Sequence, residues 1–461
     1  MIPPINDARQ AILFPAAAAD FKANAASLVK RIADDAASAD VSAKLSALAL
    51  AADLSLDLDS YLSVWVLEKL VEKGKLDRKD IEGTAAELAG IVEKYASPEQ
   101  VKAMTDERKA IAASETMRMC NLTREGKLGT FWGHDYCTGM DHSLRRGARF
   151  VTSNPAKINL FRKENPEVWA RLVAEARHEN PGASVERLIS ALFVKVTAIN
   201  ARVLRPIYEA TDGEHGFVCV QTNPKNINDS AKMTEEVLYW EEAYKKELGV
   251  DKNNVVYKLP AVKAAVQSVK DLVAKGIRVC MTLNFTVSQH EIFAELIEKG
   301  EKNGFVVLMA GFLDDNVAAE LGDLGVDDPK KYAKWAGVSV MRKSYANLNA
   351  KKLGKSSIMA AAIRGPYTIE CCLTDKTNAP VHFTTMTAKI QEFDEAKRAL
   401  KSEMDDEPPA DVMEVLGKSK IFTQAYNRDK LDMDNVADFI PLQAVLKVFT
   451  EAYIETEKSL S

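Results

Sequence analysis

From about residue 126 to residue 400 the chain repeats one unit, a short apolar run followed by a segment with helical apolar spacing. The runs are Thr130 to Gly133, Arg149 to Thr152, Phe217 to Gln221, Val255 to Leu259, Val279 to Phe285, Phe305 to Ala310, Ile358 to Ile363 and Val381 to Thr384. Amphipathic segments such as Glu167 to His178 and Val262 to Lys275 lie between most of them. Eight strand-like runs separated by helices predict an α/β chain folded as a (β/α)8 TIM barrel. A doubly wound sheet is the runner-up, but no GxGxxG turn follows the first run.

Residues 1–125 read differently. They are rich in Ala, Leu, Lys and Asp, contain no convincing strand, and predict an all-helical region. Tyr61, Val64, Leu67, Leu70 and Val71 make one apolar stripe. Ser97-Pro98-Glu99-Gln100 reads as a helix start, with Ser as N-cap, Pro in the first turn and Gln closing a capping box. Asn165-Pro166 and Asp328-Pro329 read as an N-cap followed by proline. No chemistry-bearing motif occurs in the helical region, so packing or homo-oligomer formation is its expected use. Residues 401–461 read as an acidic, Pro-containing linker from Met404 to Ala410 and a final helix. That helix carries Leu442, Val445, Phe449 and Tyr453 on one stripe, suited to capping the barrel mouth or docking on its flank.

Composition narrows the function classes. With 461 residues, of which 47% are hydrophobic, the chain can bury a large core without metal or disulfide staples. Its 61 basic and 66 acidic side chains give a formal charge of −5, which disfavours nucleic acid as a partner. No apolar stretch approaches the roughly 18 residues of a membrane span, and the N-terminus does not read as a signal peptide. Six cysteines, at 120, 137, 219, 280, 371 and 372, form no CxxC pair, which fits a reducing cytoplasm.

In a barrel of this kind, chemistry gathers at the C-terminal ends of the strands. The fourth run ends Val255-Val256-Tyr257-Lys258-Leu259-Pro260, which points Lys258 into the barrel with Val256. Burial of an amine favours its neutral, nucleophilic form, and such an amine attacks a ketone to form a Schiff base. The plainer alternative is a lysine whose head snorkels to solvent. The first run ends His134-Asp135, and the second ends Thr152-Ser153-Asn154-Pro155 with Thr152 and Asn154 facing alike. The fifth carries Cys280, Thr282 and Asn284 on one face. A buried Thr or Asn often only satisfies a backbone group. Arg364, before Gly365-Pro366, suits an anion or a surface ion pair equally. His134, Asp135, Cys137 and His142 have ligand chemistry, but their spacing fits no compact zinc pattern, so no metal is expected. Arg145-Arg146 and Lys351-Lys352 read as solvated faces.

The order of these motifs resembles the transaldolase family, Schiff-base aldolases of class I built on a (β/α)8 barrel. The resemblance spans roughly residues 128 to 460 and leaves the helical N-terminal region outside. Ser153-Asn154-Pro155 is similar to that family's Thr-Asn-Pro, and Asp135 stands where its first-strand acid stands. Val255 to Ala261 resembles the strand of the Schiff-base lysine. Gly276-Ile277, then Thr282-Leu283, Phe285 and Gln289, resembles the fifth-strand run. Gly337-Val338-Ser339-Val340, Lys343, Tyr345, Ile358-Met359-Ala360 and Arg364 resemble the stretch leading to a phosphate-binding arginine. Asn427-Arg428-Asp429 and the last helix resemble the C-terminal end. Departures mark a divergent member. Gln221 stands in place of a glutamate that positions water, Cys280 in place of an asparagine, and Val262 in place of a threonine. Phe312 stands where a second phosphate arginine is expected, in the run Val307-Leu308-Met309-Ala310-Gly311-Phe312.

The resemblance implies catalytic roles for Lys258, Asp135, Gln221 and Thr282, and substrate contacts for Asn154, Cys280, Asn284, Met309 and Arg364. It implies sugar phosphates as substrates, carbohydrate metabolism of the pentose phosphate type, and no cofactor, because the lysine imine is itself the electron sink. The expected activity is transfer of a dihydroxyacetone unit from a ketose phosphate to an aldose phosphate. The alternatives are a fructose-6-phosphate-type aldolase, an aldolase on another sugar, and a catalytically silent barrel serving as a scaffold.

Overall fold

In the computed structural model, which describes residues 18–60, 71 and 77–460, eight parallel strands close into a barrel in sequence order. They are β1 (Thr130–His134), β2 (Phe150–Thr152), β3 (Phe217–Gln221), β4 (Val255–Pro260), β5 (Val279–Asn284), β6 (Gly304–Met309), β7 (Ser356–Ala361) and β8 (Val381–Thr385). β8 returns to β1 over Thr130↔Val381 to His134↔Thr385, so no sheet edge is left open. Every predicted run is a strand, with ends shifted by at most two residues. Helices follow the strands as predicted, Pro166–Glu179 and Ala265–Ala274 among them.

Side-chain alternation divides the barrel interior into a floor and a mouth. At the N-terminal end of the strands Phe150 stacks on Phe217, with ring centroids 5.2 Å apart, and Phe305 lies 5.2 Å from Phe217. His382 closes this layer against Phe305 at 5.1 Å. Such aromatic contact seals the floor by apolar burial. Gly133 is required there, because a Cβ at this position would lie 2.3 Å from the Phe150 ring. Apart from His382, the polar inward residues considered below sit toward the opposite, C-terminal end.

Five described helices precede the barrel: Ala18–Ala36, Val41–Leu58, Arg78–Tyr95, Pro98–Ala112 and Glu115–Arg124. The capping box at Ser97 forms as predicted, with Gln100 N donating to Ser97 Oγ and Ser97 N donating to Gln100 Oε1. Of the predicted stripe, Val71 is helical, and Tyr61, Val64, Leu67 and Leu70 lie outside the described residues. Arg145 and Arg146 are not a solvated face. Arg145 is 7% exposed and Arg146 5%, and both join this region to the β1–β2 connection. Arg145 Nε donates to Asp57 at 2.9 Å and its Nη2 to Asp53 at 2.7 Å, while Arg146 Nη1 donates to Glu107 at 2.9 Å. Their carboxylate partners lie far upstream in the chain, so local patterning could not reveal them. Lys351 is exposed but pairs with Glu291 and Glu295.

Two predicted caps differ in detail. Asn165 does not cap the helix it precedes; its Nδ2 donates back to Phe161 O and closes the preceding helix. Asp328 adopts φ 45° and makes no side-chain cap. In the C-terminal tail, Ala410–Leu416 and Lys420–Tyr426 are short helices where only a linker was predicted up to the last helix. That last helix, Ile440–Lys458, buries Leu442, Val445, Phe449 and Tyr453 as the stripe predicts. No described helix is long and apolar enough to cross a membrane.

Candidate active site

A cavity of about 400 Å³ opens at the C-terminal end of the barrel. Lys258, Asp135, Thr152, Asn154, Met309 and Arg364 are among its lining, and Val448 and Phe449 of the last helix stand at its mouth. Lys258 is the last polar inward residue of β4 and is 6% exposed. Its Nζ donates to the backbone carbonyl of Ser153 at 3.1 Å, which aims the amine across the cavity. A neutral carbonyl holds the nitrogen in place without adding a counter-charge beside it.

Asp135 follows β1 directly, and its backbone N–H donates to Thr385 O, continuing the β1–β8 ladder by one residue. Its Oδ1 accepts from Thr152 Oγ1 at 2.7 Å, and Thr152 in turn lies 2.6 Å from Thr384 Oγ1. A carboxylate only accepts, so the single hydroxyl proton of Thr152 points to Asp135 and Thr384 donates to Thr152. Strands β8, β2 and β1 thus place one carboxylate through a relay of two hydroxyls. Asn154 caps the helix Pro155–Glu164, its Oδ1 accepting from Lys157 N at 3.0 Å, while its side chain borders the cavity. Its amide nitrogen stays available to a ligand hydroxyl.

The other predicted residues lie around or behind this cavity. Gln221 and Cys280 flank Lys258 in register on β3 and β5, both buried and neither in the cavity wall. Gln221 Oε1 is buried without a hydrogen-bond partner among the described residues. Burial pushes the Cys219 thiol well above its ordinary value. Burial also pushes Cys280 up, but the Cys219 thiol donating to it, with Lys258 and Arg278, outweighs burial and draws it down. Thr282 is fully buried, its hydroxyl 3.8 Å from Met309 Sδ. Met309 separates it from the cavity.

Asn284 does not share the face of Cys280 and Thr282. β5 and β6 pair at Met281↔Val306 and next at Asn284↔Leu308, so one extra residue is inserted in β5. Leu283 takes it up with φ 52°. A bulge of this kind re-aims the residues after it. Leu308 alternates with the cavity-lining Val307 and Met309, so Asn284 opposite it points to the outer layer, with Nδ2 and Oδ1 both buried and unpartnered.

Arg364 borders the cavity but is already engaged. Its Nε and Nη2 donate to Asp315 Oδ2 at 3.2 and 2.7 Å, its Nη1 donates to Ala362 O at 3.1 Å, and its face lies 5.0 Å from the Phe312 ring. Thr384, Lys157, Met386 and Lys389 also belong to the cavity and were not singled out from the sequence. Thr384, on the strand after which Met386 follows, carries the same alternation signal as Thr152. Lys157 follows Asn154-Pro155 too closely to look like more than a surface helix residue. Among the described residues, no group of three or more His, Cys, Asp and Glu gathers as a metal site.

A closed parallel barrel with a buried lysine and a hydroxyl-held carboxylate at its C-terminal mouth defines the class: a lysine-centred (β/α)8 barrel. Residues 141–460 match the family model described as Transaldolase/Fructose-6-phosphate aldolase, and the chain belongs to this family. The match begins beyond β1, so Asp135 lies just outside it. The chain is similar to the transaldolase of Mycolicibacterium smegmatis, 28% identical over 209 residues, or 42% of this chain and 54% of the relative. It is similar to the transaldolase of Thermobifida fusca, 30% identical over 157 residues, or 30% of this chain and 40% of the relative. The transaldolase of Arthrobacter sp. is 26% identical over 207 residues, covering 42% and 53%. The chain spans about half the length of the curated relatives it matches.

Proposed function

We propose that the protein is an enzyme that transfers a dihydroxyacetone unit from a ketose phosphate to an aldose phosphate through a Schiff base on Lys258. The observation that carries this reading is the placement of Lys258, buried and held only by the Ser153 carbonyl among its described polar contacts, in one cavity with Asp135. Lys258 Nζ adds to the C2 carbonyl and water leaves, giving an iminium. Asp135 takes the C4 hydroxyl proton as the C3–C4 bond breaks, and the bonding pair passes into the iminium to leave an enamine on Lys258. Thr152 and Thr384 hold the carboxylate in place for this step, and Asn154 holds a substrate hydroxyl. The enamine then attacks an aldehyde acceptor, which re-forms the iminium while Asp135 returns its proton to the new hydroxyl. Water hydrolyses the iminium to release the ketose and free Lys258.

A second reading, an aldolase that protonates and releases the three-carbon unit, is favoured by one set of observations. Gln221 replaces a carboxylate beside the lysine, and Arg364 is committed to Asp315. The engaged arginine weakens recognition of a phosphorylated acceptor, and the resemblance associates a glutamine at the position of Gln221 with the family's aldolase branch. We propose the cytoplasm as the site of the reaction, a reading that the free cysteines support. The test is Lys258→Met: turnover of fructose 6-phosphate with an aldose phosphate acceptor is lost while the melting curve stays that of a folded protein. Retained turnover contradicts the assignment.

A further inference from the structure

The charge lining the cavity is one-sided. Asp135 is the only acid among the lining residues, against Lys157, Lys258, Arg364 and Lys389. Lys258 is the nucleophile of the reading above. Arg364 has three of its N–H groups turned to Asp315 and Ala362 O and one face covered by Phe312. Phe312 occupies the position where the resemblance leads to expect a second arginine.

Lys157 is different. Its side chain is 17% exposed, yet its ammonium has weak company: Asp135 Oδ2 at 3.9 Å, the Met386 thioether at 3.0 Å and the Tyr136 ring at 5.7 Å. An ammonium has three donors, and a thioether is a poor acceptor. A mostly buried cation placed so gains most from an anion that enters the cavity. Lys389, on the helix Thr387–Ala396, stands on the same β8–β1–β2 side and pairs with Glu392.

Position along the substrate points the same way. Lys258 holds C2 from β4, and Asp135 meets the C4 hydroxyl from β1. The chain of a ketose therefore runs from β4 toward the β8–β1–β2 side, and its C6 group emerges next to Asp135, where Lys157 lies.

We propose that Lys157, seconded by Lys389, binds the phosphate monoester of the sugar phosphate in this cavity, in place of the arginine that Phe312 replaces. The proposal rests on the Schiff-base reading for its direction of substrate binding. It makes Lys157 a specificity-determining residue of this cavity.

The experiment compares wild type, Lys157→Met, Lys157→Arg and Lys389→Ala by two readouts. The first is the ratio of kcat/KM for fructose 6-phosphate to that for fructose, with one acceptor throughout. The second is calorimetric binding of inorganic phosphate to the enzyme without sugar. Lys157→Met lowers both the ratio and the phosphate affinity about tenfold or more, Lys157→Arg restores most of each, and Lys389→Ala gives a smaller loss in the same direction. Equal losses on the two sugars with unchanged phosphate affinity assign Lys157 to positioning Asp135 and overturn the proposal. No phosphate binding by wild type overturns it as well. If neither sugar is turned over but phosphate binds and Lys157→Met weakens it, the anion site stands and the Schiff-base reading falls.

Discussion

Arg145→Met tests how the helical N-terminal region is tied to the connection that carries Asp135. The guanidinium is buried and bridges Asp57, which is fully buried, and Asp53, whose side chain is 44% exposed. Burial pulls Arg145 down, but Asp57 and Asp53 outweigh it and hold the cation above its ordinary value. Removing the arginine takes one cation from a buried carboxylate, a change that costs up to about 3–5 kcal/mol. The exposed Asp53 arm adds about 0–1 kcal/mol. The expected consequence is local opening of the helix Val41–Leu58 and of the β1–β2 connection, not collapse of the barrel. Hydrogen exchange read by mass spectrometry measures it. Amides of Val41–Leu58 exchange up to about 10²- to 10⁴-fold faster in Arg145→Met, while those of β4 and β6 change far less. The double variant Arg145→Met/Asp57→Leu recovers most of the protection, because replacing a buried pair by apolar groups is often neutral. Wild-type exchange in Arg145→Met, or a double variant worse than the single one, refutes this account of the junction.

Other expectations follow from the same structure. Burial holds His134, His142, His215, His290 and His382 below the ordinary histidine value, His215 and His290 down to about 3. Below pH 6.5 the unfolded chain binds histidine protons that the folded chain does not, so the contribution of these histidines falls as pH falls. It is opposed in part by Glu236 and Asp314, whose carboxyls burial raises. His215 and His290 each contribute up to about 1.4 kcal/mol per pH unit, and thermal melts at pH 7 and pH 5 read the drop; equal midpoints contradict it. Gly133→Ala places a methyl 2.3 Å from the Phe150 ring and costs at least about 1–3 kcal/mol, read as a lower melting midpoint. Asp135→Asn lowers kcat about 10²- to 10⁴-fold while Lys258 still forms the imine, because only the proton acceptor is removed; loss of imine formation contradicts the division of roles.

The barrel was legible because each strand is buried on both faces and reads as a short apolar run, and because helices separate the runs. Lys258 and Asn154 were legible for the same reason: a polar residue ending such a run has few places to point but the mouth. The misread residues share another cause. Arg145 and Arg146 find their carboxylates on helices far upstream, so nothing local tells a buried pair from a solvated one. Asn284 follows period two in the sequence, and only the pairing of β5 with β6 reveals the inserted residue that turns it outward. Lys157, on the helix after β2, meets Asp135 directly, and Thr384 of β8 reaches it through Thr152, a meeting that exists only once the barrel closes. The resemblance anticipated the position of Arg364, but not Asp315, which holds it.

The most direct test of the central claim is borohydride reduction of the protein in the presence of fructose 6-phosphate, followed by peptide mass spectrometry. The account predicts a reduced three-carbon or six-carbon adduct on the peptide that contains Lys258, and on no other lysine. An adduct on Lys157 or Lys389 with Lys258 unmodified, or no adduct with either fructose 6-phosphate or dihydroxyacetone, contradicts it.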